Sequence, residues 1–118
     1  MLSLDLSGKT ALVTGATGDL GRVMVRTLAA CGANVVIHYH TNQVMAEKLL
    51  GEVQAIYTQQ KRSAQTMSVS ADITVDSSVA AMRDQVVKAM GAPDIVVNNA
   101  VIQYKWVSVL EQDVKDYE

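Results

Sequence analysis

From Thr10 to Gly21 the chain reads Thr-Ala-Leu-Val-Thr-Gly-Ala-Thr-Gly-Asp-Leu-Gly. A short apolar run at 11–13 gives way to three glycines at a spacing of three. The segment that follows is amphipathic, and its apolar face contains Leu20, Val23, Met24, Thr27, Leu28 and Cys31. An apolar run, a glycine-rich segment and an amphipathic segment in succession predict a strand, a tight turn and a helix.

Each glycine has its own physical use in such a turn. Gly15 would permit a sharp bend, Gly18 would let phosphate oxygens approach the backbone, and Gly21 would bring the helix against the strand. Backbone N–H groups and the helix N-terminus would then face a pyrophosphate. A glycine motif alone is weak evidence, so this interpretation depends on the pattern around it.

Strand and helix patterns alternate through the rest of the chain. Buried strands are predicted at 34–39, 66–69 and 94–98, and helices at 43–60 and 79–90. The strands are apolar on both faces, as in a parallel sheet covered by helices on both sides. Right-handed crossovers give the strand order 3-2-1-4. The predicted fold is α/β: one half of a Rossmann-type, doubly wound parallel sheet in three α/β/α layers.

Composition limits the class of protein. The 118 residues suit one domain, and 49% hydrophobic against 19% charged residues permit a folded core. The net charge of -2 gives no basic footprint for nucleic acid, and the His and acidic residues show no metal-ligand spacing. A single cysteine, no signal-peptide pattern and no stretch long enough to span a bilayer lead us to expect a cytoplasmic protein.

Four motifs in order resemble the short-chain dehydrogenase/reductase family. They are Gly8-Lys9, the segment 14–21, Asp72-Ile73-Thr74 and the segment 94–100, which reads Asp-Ile-Val-Val-Asn-Asn-Ala. The chain is most similar to members of the 3-oxoacyl-carrier-protein reductase kind. The resemblance covers essentially residues 1–118, but it corresponds only to the family's N-terminal, cofactor-binding portion. It implies hydride transfer between NAD(P) and a small carbonyl or alcohol substrate.

The resemblance also implies which residues bind the cofactor. The glycine turn would wrap the pyrophosphate, Asp72 would accept a hydrogen bond from the adenine amino group, and the Ile73 backbone would pack on the ring. Residues at the end of the fourth strand would line the ribose on the nicotinamide side. The complete predicted set is Gly15, Ala16, Thr17, Gly18, Leu20, Gly21, His40, Thr41, Asp72, Ile73, Asn99, Ala100 and Val101.

Two positions depart from the family pattern. Asp19 stands where many members have glycine, and its carboxylate could either cap the helix start or repel a diphosphate. Val101 stands where glycine usually follows Asn-Asn-Ala, and its branched side chain would crowd or reshape the nicotinamide pocket. Of Asn98 and Asn99, we expect one to tie strands together and the other to face the ligand.

The end of the second strand indicates the cofactor. An acidic residue there would bind the ribose 2′-hydroxyl and favour NAD, but this chain has Tyr-His-Thr-Asn at 39–42. His40, Thr41 and Asn42 could donate hydrogen bonds to a 2′-phosphate. NADP is therefore the predicted cofactor, with NAD as the alternative. His38, inside the strand, is interpreted as a packed or edge residue.

The catalytic Ser-Tyr-Lys set that the resemblance implies lies beyond the fifth strand of the family. The match Tyr57-Thr58-Gln59-Gln60-Lys61 precedes the third strand and lacks an upstream serine, so we reject it and assign no catalytic residue. We expect the chain alone to be inactive. Because the fourth strand would lie at a sheet edge, we also expect a homo-oligomer or a missing remainder. The alternative functions are a non-catalytic nucleotide-binding regulator and a scaffold protein.

Overall fold

A computed structural model describes residues 4–100 and confirms the predicted alternation of strands and helices. The strands are β1 (Thr10–Val13), β2 (Asn34–Tyr39), β3 (Thr66–Ser70) and β4 (Ile95–Val97). The helices between them are α1 (Asp19–Ala30), α2 (Gln43–Gln59) and α3 (Asp76–Met90). The bounds of β2 are those predicted, because its apolar centre Val35-Val36-Ile37 is buried and identifies the strand in the sequence.

The strands form one parallel sheet in the order β3-β2-β1-β4, as predicted. Leu12 at the centre of β1 is paired with Val36 on one side and Val96 on the other. All four residues of β1 are buried. The first strand is therefore the centre of the sheet and carries the glycine turn at its carboxyl end.

Helices cover both faces of the sheet and complete the three predicted layers. On one face, α1 and α2 pack against side chains such as Val13, Val35 and Ile37. On the other face, α3 packs Met82 and Val86 against a second cluster that includes Leu12 and Val36. Because alternate residues of a strand point to opposite faces, the two clusters use alternating positions of β1 and β2.

Several element boundaries differ from the prediction, most of them by one residue. Helix α3 begins at Asp76, three residues before the first apolar position, because its first turn is polar and carries no apolar periodicity. Strand β4 is shorter than 94–98, and its central residue Val96 is 53% exposed. Val96 is apolar, as the sequence interpretation requires, but its side chain is not buried among the described residues. Association of copies through this edge stays a prediction.

Parallel strands place all their carboxyl ends at one edge of the sheet. The loops after β1, β2, β3 and β4 consequently meet there, and the N-terminus of α1 points to the same edge. Ligands bind at this edge in open α/β sheets, beside the point where strand order reverses. Over residues 4–100, no helix is both long enough and apolar enough to cross a membrane.

Candidate functional site

A cavity of about 750 Å³ opens at the carboxyl edge of the sheet, a size typical of small-molecule sites. Its wall contains most of the predicted cofactor residues. These are Gly15, Thr17, Gly18, Leu20, His40, Thr41, Asp72, Ile73, Asn99 and Ala100. Four separate loops therefore bring the candidate residues to one place, although their roles toward a cofactor stay a prediction.

Gly15 makes the sharp bend after β1, as predicted. Its φ is +60°, a left-handed conformation that side chains disfavour. A Cβ at this position would lie 2.8 Å from the Cα atom of Ala100, which is backbone and cannot move aside cheaply. The turn thus needs glycine for its conformation and for the close approach of the β4 loop.

Ala16 and Gly21 are the described members of the predicted set that do not line the cavity. Ala16 is fully buried, and its N–H donates to the His38 carbonyl oxygen at 2.9 Å. A Cβ on Gly21 would collide with the Gly15 carbonyl oxygen and lie 2.8 Å from the Ala16 Cα atom. Both residues lie on the side of the turn away from the cavity, where the turn packs closely against α1. They therefore stabilise the conformation of the turn and do not line the cavity.

Several amides of the turn are engaged within the protein. The Gly15 N–H donates to His38 Nδ1 at 3.0 Å, and the Gly18 N–H donates to the Gly15 carbonyl oxygen at 3.3 Å. Gly18 precedes α1, and no side-chain hydrogen bond caps the helix there. The first helical bond is donated by Arg22 to the Gly18 carbonyl, so the amides of 19–21 precede the intrahelical ladder. This helix start, rather than the whole turn, is the part of the loop that can receive an anion.

Asp19 neither caps α1 nor stands alone. Its fully exposed carboxylate pairs with the Arg22 guanidinium one turn along the helix at 2.5 Å. The Nε atom of Arg22 also lies 3.4 Å from the Gly18 carbonyl oxygen. The charge of Asp19 is thus offset locally, which lessens its repulsion toward an anion at the helix start.

His38 lies beneath the turn and is 2% exposed. Its Nδ1 accepts from the Gly15 N–H, and its Nε2 lies 2.9 Å from the Ala71 carbonyl oxygen. The packed position agrees with the sequence interpretation, but these contacts with two loops were not foreseen. No sequence pattern could reveal them, since they depend on the ends of β1 and β3 flanking β2.

The adenosine side of the predicted site joins the loops after β2 and β3. His40 Nε2 lies 3.7 Å from an Asp72 carboxylate oxygen, and Thr41 lines the cavity beside them. The Asn42 side chain accepts a hydrogen bond from the Met45 N–H at 3.2 Å and caps α2. Sequence reasoning gave Asn42 only a ligand role, yet Asn before an amphipathic segment is also a helix-cap signal.

Asp72 forms a compact local turn. One carboxylate oxygen accepts from the Thr74 hydroxyl at 2.6 Å and from the Thr74 N–H at 3.0 Å. These bonds, together with the nearby His40 ring, hold the pKa of Asp72 below its ordinary value. Asp72 therefore stays ionised at neutral pH, with its second carboxylate oxygen directed toward His40. It can accept hydrogen bonds but cannot donate them.

The nicotinamide side of the predicted site is built on Thr14. Its Oγ1 accepts from the N–H groups of Asn99 at 2.9 Å and Ala100 at 3.0 Å, and lies 3.3 Å from the Val97 carbonyl oxygen. The Asn99 side chain donates to the Gly15 carbonyl oxygen at 3.2 Å and also lines the cavity. Asn99 thus performs the tying role expected of one asparagine while standing at the cavity. Val101 lies outside the described residues.

Tyr57 supports the rejection of the Tyr-x-x-x-Lys match. Its ring is buried against the α2 face of the sheet, and its hydroxyl donates to the Ala33 carbonyl oxygen at 2.5 Å. Burial raises the pKa of this phenol to about 12. Tyr57 is not among the residues that line the cavity, so it is a core residue rather than a proton donor to a ligand there.

The chain matches the family model described as "short chain dehydrogenase" over residues 9–118. A short-chain type dehydrogenase/reductase from Picea abies is 37% identical over 95 residues, which cover 80% of this chain and 35% of the relative. A short chain dehydrogenase/reductase from Colletotrichum higginsianum is 34% identical over 116 residues, covering 97% of this chain and 41% of the relative. The chain thus spans about two fifths of the curated relatives it matches.

Solved structures agree with this relationship. A dehydrogenase/reductase from Sinorhizobium meliloti superposes with a TM-score of 0.81 at 28% identity, covering 98% of this chain and 43% of that one. A protein from Burkholderia cenocepacia, solved with bound NADP, gives a TM-score of 0.75 at 27% identity, covering 99% and 43%. With the parallel β3-β2-β1-β4 sheet and the family match over residues 9–118, these likenesses lead to one conclusion: the chain belongs to the short-chain dehydrogenase family.

Proposed function

We propose that this chain is the NADP(H)-binding part of an oxidoreductase that transfers hydride between the cofactor and a small carbonyl or alcohol compound. The observation that carries the proposal is the uncapped start of α1 at Gly18, which opens into a cavity built by all four strand ends. Amides at a helix start and the positive end of the helix dipole favour an anion such as a pyrophosphate.

The rest of the cavity suits the two ends of a dinucleotide. At one end, ionised Asp72 accepts hydrogen bonds and so complements the amino group of adenine, while Ile73 offers apolar surface to the ring. At the other end, Asn99 and Ala100 stand beside the glycine turn, where the second ribose would lie. When bound, the cofactor supplies or accepts the hydride, and these residues hold and orient it.

A preference for NADP rests on the end of β2. His40 and Thr41 line the cavity there, and no carboxylate stands in the segment 39–42 to bind a free 2′-hydroxyl. Asp72, from the loop after β3, also lines the cavity on this side, and one of its carboxylate oxygens lies 3.7 Å from His40 Nε2. The NADP bound by the Burkholderia cenocepacia protein supports the same choice.

The finer family placement and the catalytic groups are also proposals. The motifs at 14–21 and 94–100 support a place among the 3-oxoacyl-carrier-protein reductase kind of the family. Tyr57, the tyrosine of the Tyr-x-x-x-Lys match, is buried in the core, and its hydroxyl donates a hydrogen bond to a backbone carbonyl oxygen. We therefore assign no catalytic residue in the described part of the chain. We therefore propose that the isolated 118-residue chain binds cofactor without turning over a substrate.

Fluorescence titration with NADPH and with NADH tests the binding proposal. The variant Gly18→Glu adds bulk and negative charge to the cavity wall, where a Cβ would meet only the Gly15 carbonyl oxygen at 3.7 Å. Gly51→Glu is the matched control, since Gly51 lies in α2 with no atom within 4 Å of an added Cβ. We expect wild type and Gly51→Glu to bind NADPH more tightly than NADH. Gly18→Glu should weaken both by about tenfold or more.

If Gly18→Glu bound NADPH as tightly as wild type does, the cofactor would have to bind outside this cavity. An absence of binding by either nucleotide to folded wild-type protein would overturn the proposal as a whole. Circular dichroism on each variant is the control that checks whether the fold is retained.

A further inference from the structure

Both ring nitrogens of His38 are committed to backbone groups of different loops. Nδ1 lies 3.0 Å from the Gly15 nitrogen, and Nε2 lies 2.9 Å from the Ala71 carbonyl oxygen. An amide N–H can only donate and a carbonyl oxygen can only accept. Nδ1 must therefore be the unprotonated nitrogen, and Nε2 must carry the proton.

The backbone of His38 makes a third link to the same turn. Its carbonyl oxygen accepts from the Ala16 N–H at 2.9 Å, so two successive amides of the turn end on one residue. Gly15 holds the left-handed φ of +60° on which the bend depends. Because His38 is 2% exposed, water cannot readily replace a hydrogen bond of its ring that is lost.

We propose that His38, as its neutral Nε2–H tautomer, is a positioning residue that shapes the glycine turn for the cofactor. The proposal rests on the proposed cofactor function. By binding the Gly15 amide, the imidazole fixes the bend that leads to the start of α1. Through Ala71, it also ties this bend to the loop that carries Asp72. One buried ring thus couples the pyrophosphate end of the cavity to its adenine end.

Two substitutions separate positioning from simple packing. His38→Leu fills the buried space but leaves the Gly15 N–H without its acceptor, whereas the Asn in His38→Asn places an amide oxygen where Nδ1 stood. We expect His38→Leu to raise the dissociation constant for NADPH by about tenfold or more, as for one buried donor left unpaired. His38→Asn should stay within about threefold of wild type, because an amide oxygen is an equivalent acceptor.

Val36→Ala is the matched control, since Val36 is fully buried on the same face of β2 and belongs to the α3-side cluster. It should lower the free energy of unfolding without changing the affinity of the folded protein. If His38 were only a core residue, the His38→Leu variant would bind NADPH as tightly as wild type does. His38→Asn, which buries a polar group in the core, would then bind NADPH more weakly than His38→Leu. That order of affinities would overturn the proposal.

A measurement on the wild-type chain keeps the test independent of ligand binding and of variant folding. In ¹⁵N-resolved NMR spectra, the His38 ring should show a protonated Nε2 and an unprotonated Nδ1, and the Gly15 amide should exchange slowly with solvent. A protonated Nδ1 or a rapidly exchanging Gly15 amide would contradict the assignment of His38. If these signatures are present but neither NADPH nor NADH binds, the proposed function fails while the role of His38 in the turn stands.

Discussion

The hydroxyl oxygen of Thr14 accepts a hydrogen bond from the backbone N–H of Asn99 at 2.9 Å, joining the end of β1 to the end of β4. The same oxygen accepts from the Ala100 N–H at 3.0 Å. Within the described sheet β4 pairs with β1 alone, and this junction holds the loop after β4 that lines one end of the cavity. Its contribution can be measured directly.

Thr14→Val should destabilise the chain by about 1–3 kcal/mol, because it removes the acceptor of two partly buried amides while keeping the shape of the side chain. Thr14→Ser keeps the oxygen and should lose less than about 1 kcal/mol. Urea unfolding followed by circular dichroism gives both values. Equal stability of the two variants would show that the oxygen contributes nothing.

Gly15→Ala should destabilise the fold by about 2 kcal/mol or more, since it combines a left-handed backbone with a collision at Ala100. Gly51→Ala is the natural comparison: it lies in the interior of α2 with open space around it. There the same substitution should stabilise the helix by about 1 kcal/mol. Thermal and urea unfolding of the pair test the difference, and a neutral Gly15→Ala would contradict the described turn.

Thr41→Asp should reverse the proposed cofactor preference. A carboxylate at this position would repel a 2′-phosphate and could accept a hydrogen bond from a free 2′-hydroxyl. We expect the ratio of NADPH to NADH dissociation constants to rise by about tenfold or more. Thr41→Asn, of similar size and no charge, should leave the ratio near that of wild type. An unchanged ratio in Thr41→Asp would place the 2′-phosphate elsewhere.

Because Tyr57 is buried as a neutral phenol, the free energy of unfolding of the chain should decrease above pH 10. Burial raises the pKa of its phenol from 10.0 to about 12 in the folded state, so the neutral form is favoured by folding. The resulting stabilisation is complete below pH 10 and is lost as the pH rises from 10 toward 12. Tyr57→Phe should therefore lose less stability over this range than wild type does.

The stability of Tyr57→Phe at pH 8 provides a second check. Loss of the hydrogen bond to the Ala33 carbonyl oxygen should cost about 1 kcal/mol. Tyr39→Phe, which removes a phenol at the half-buried end of β2, serves as the comparison for the loss of a hydroxyl at pH 8. A parallel pH dependence of wild type and Tyr57→Phe would contradict the described burial.

The sheet could be predicted from sequence because its signals are local. Strand β2 contains the apolar run Val35-Val36-Ile37, and the glycine turn marks the passage from β1 to α1. The start of α3 was missed by three residues, since its first turn of Asp76, Ser77 and Ser78 has no apolar period. Exposure of Val96 could not be predicted either, because it depends on what covers the sheet and not on the strand itself.

The candidate site was partly predictable for the same reason. Motif positions such as Thr17, Asp72 and Asn99 follow strands directly, and parallel topology brings strand ends together. The role of His38 depends on contacts with Gly15 and Ala71, which lie 23 and 33 residues away in the chain. For Asp19 the sequence left open whether the carboxylate caps the helix start or repels a diphosphate. Its pairing with Arg22 was neither of these alternatives and depends on side-chain conformations in the folded helix.

Amide mapping by NMR during titration with NADPH tests the central claim most directly. If the start of α1 receives the pyrophosphate, saturable shifts should be largest at the amides of Thr17, Asp19 and Leu20. Smaller shifts are expected at Asp72 and Asn99, and residues near Gly51 in α2 should not respond. Saturable shifts centred away from the carboxyl edge of the sheet, or no response at any NADPH concentration, would contradict the account.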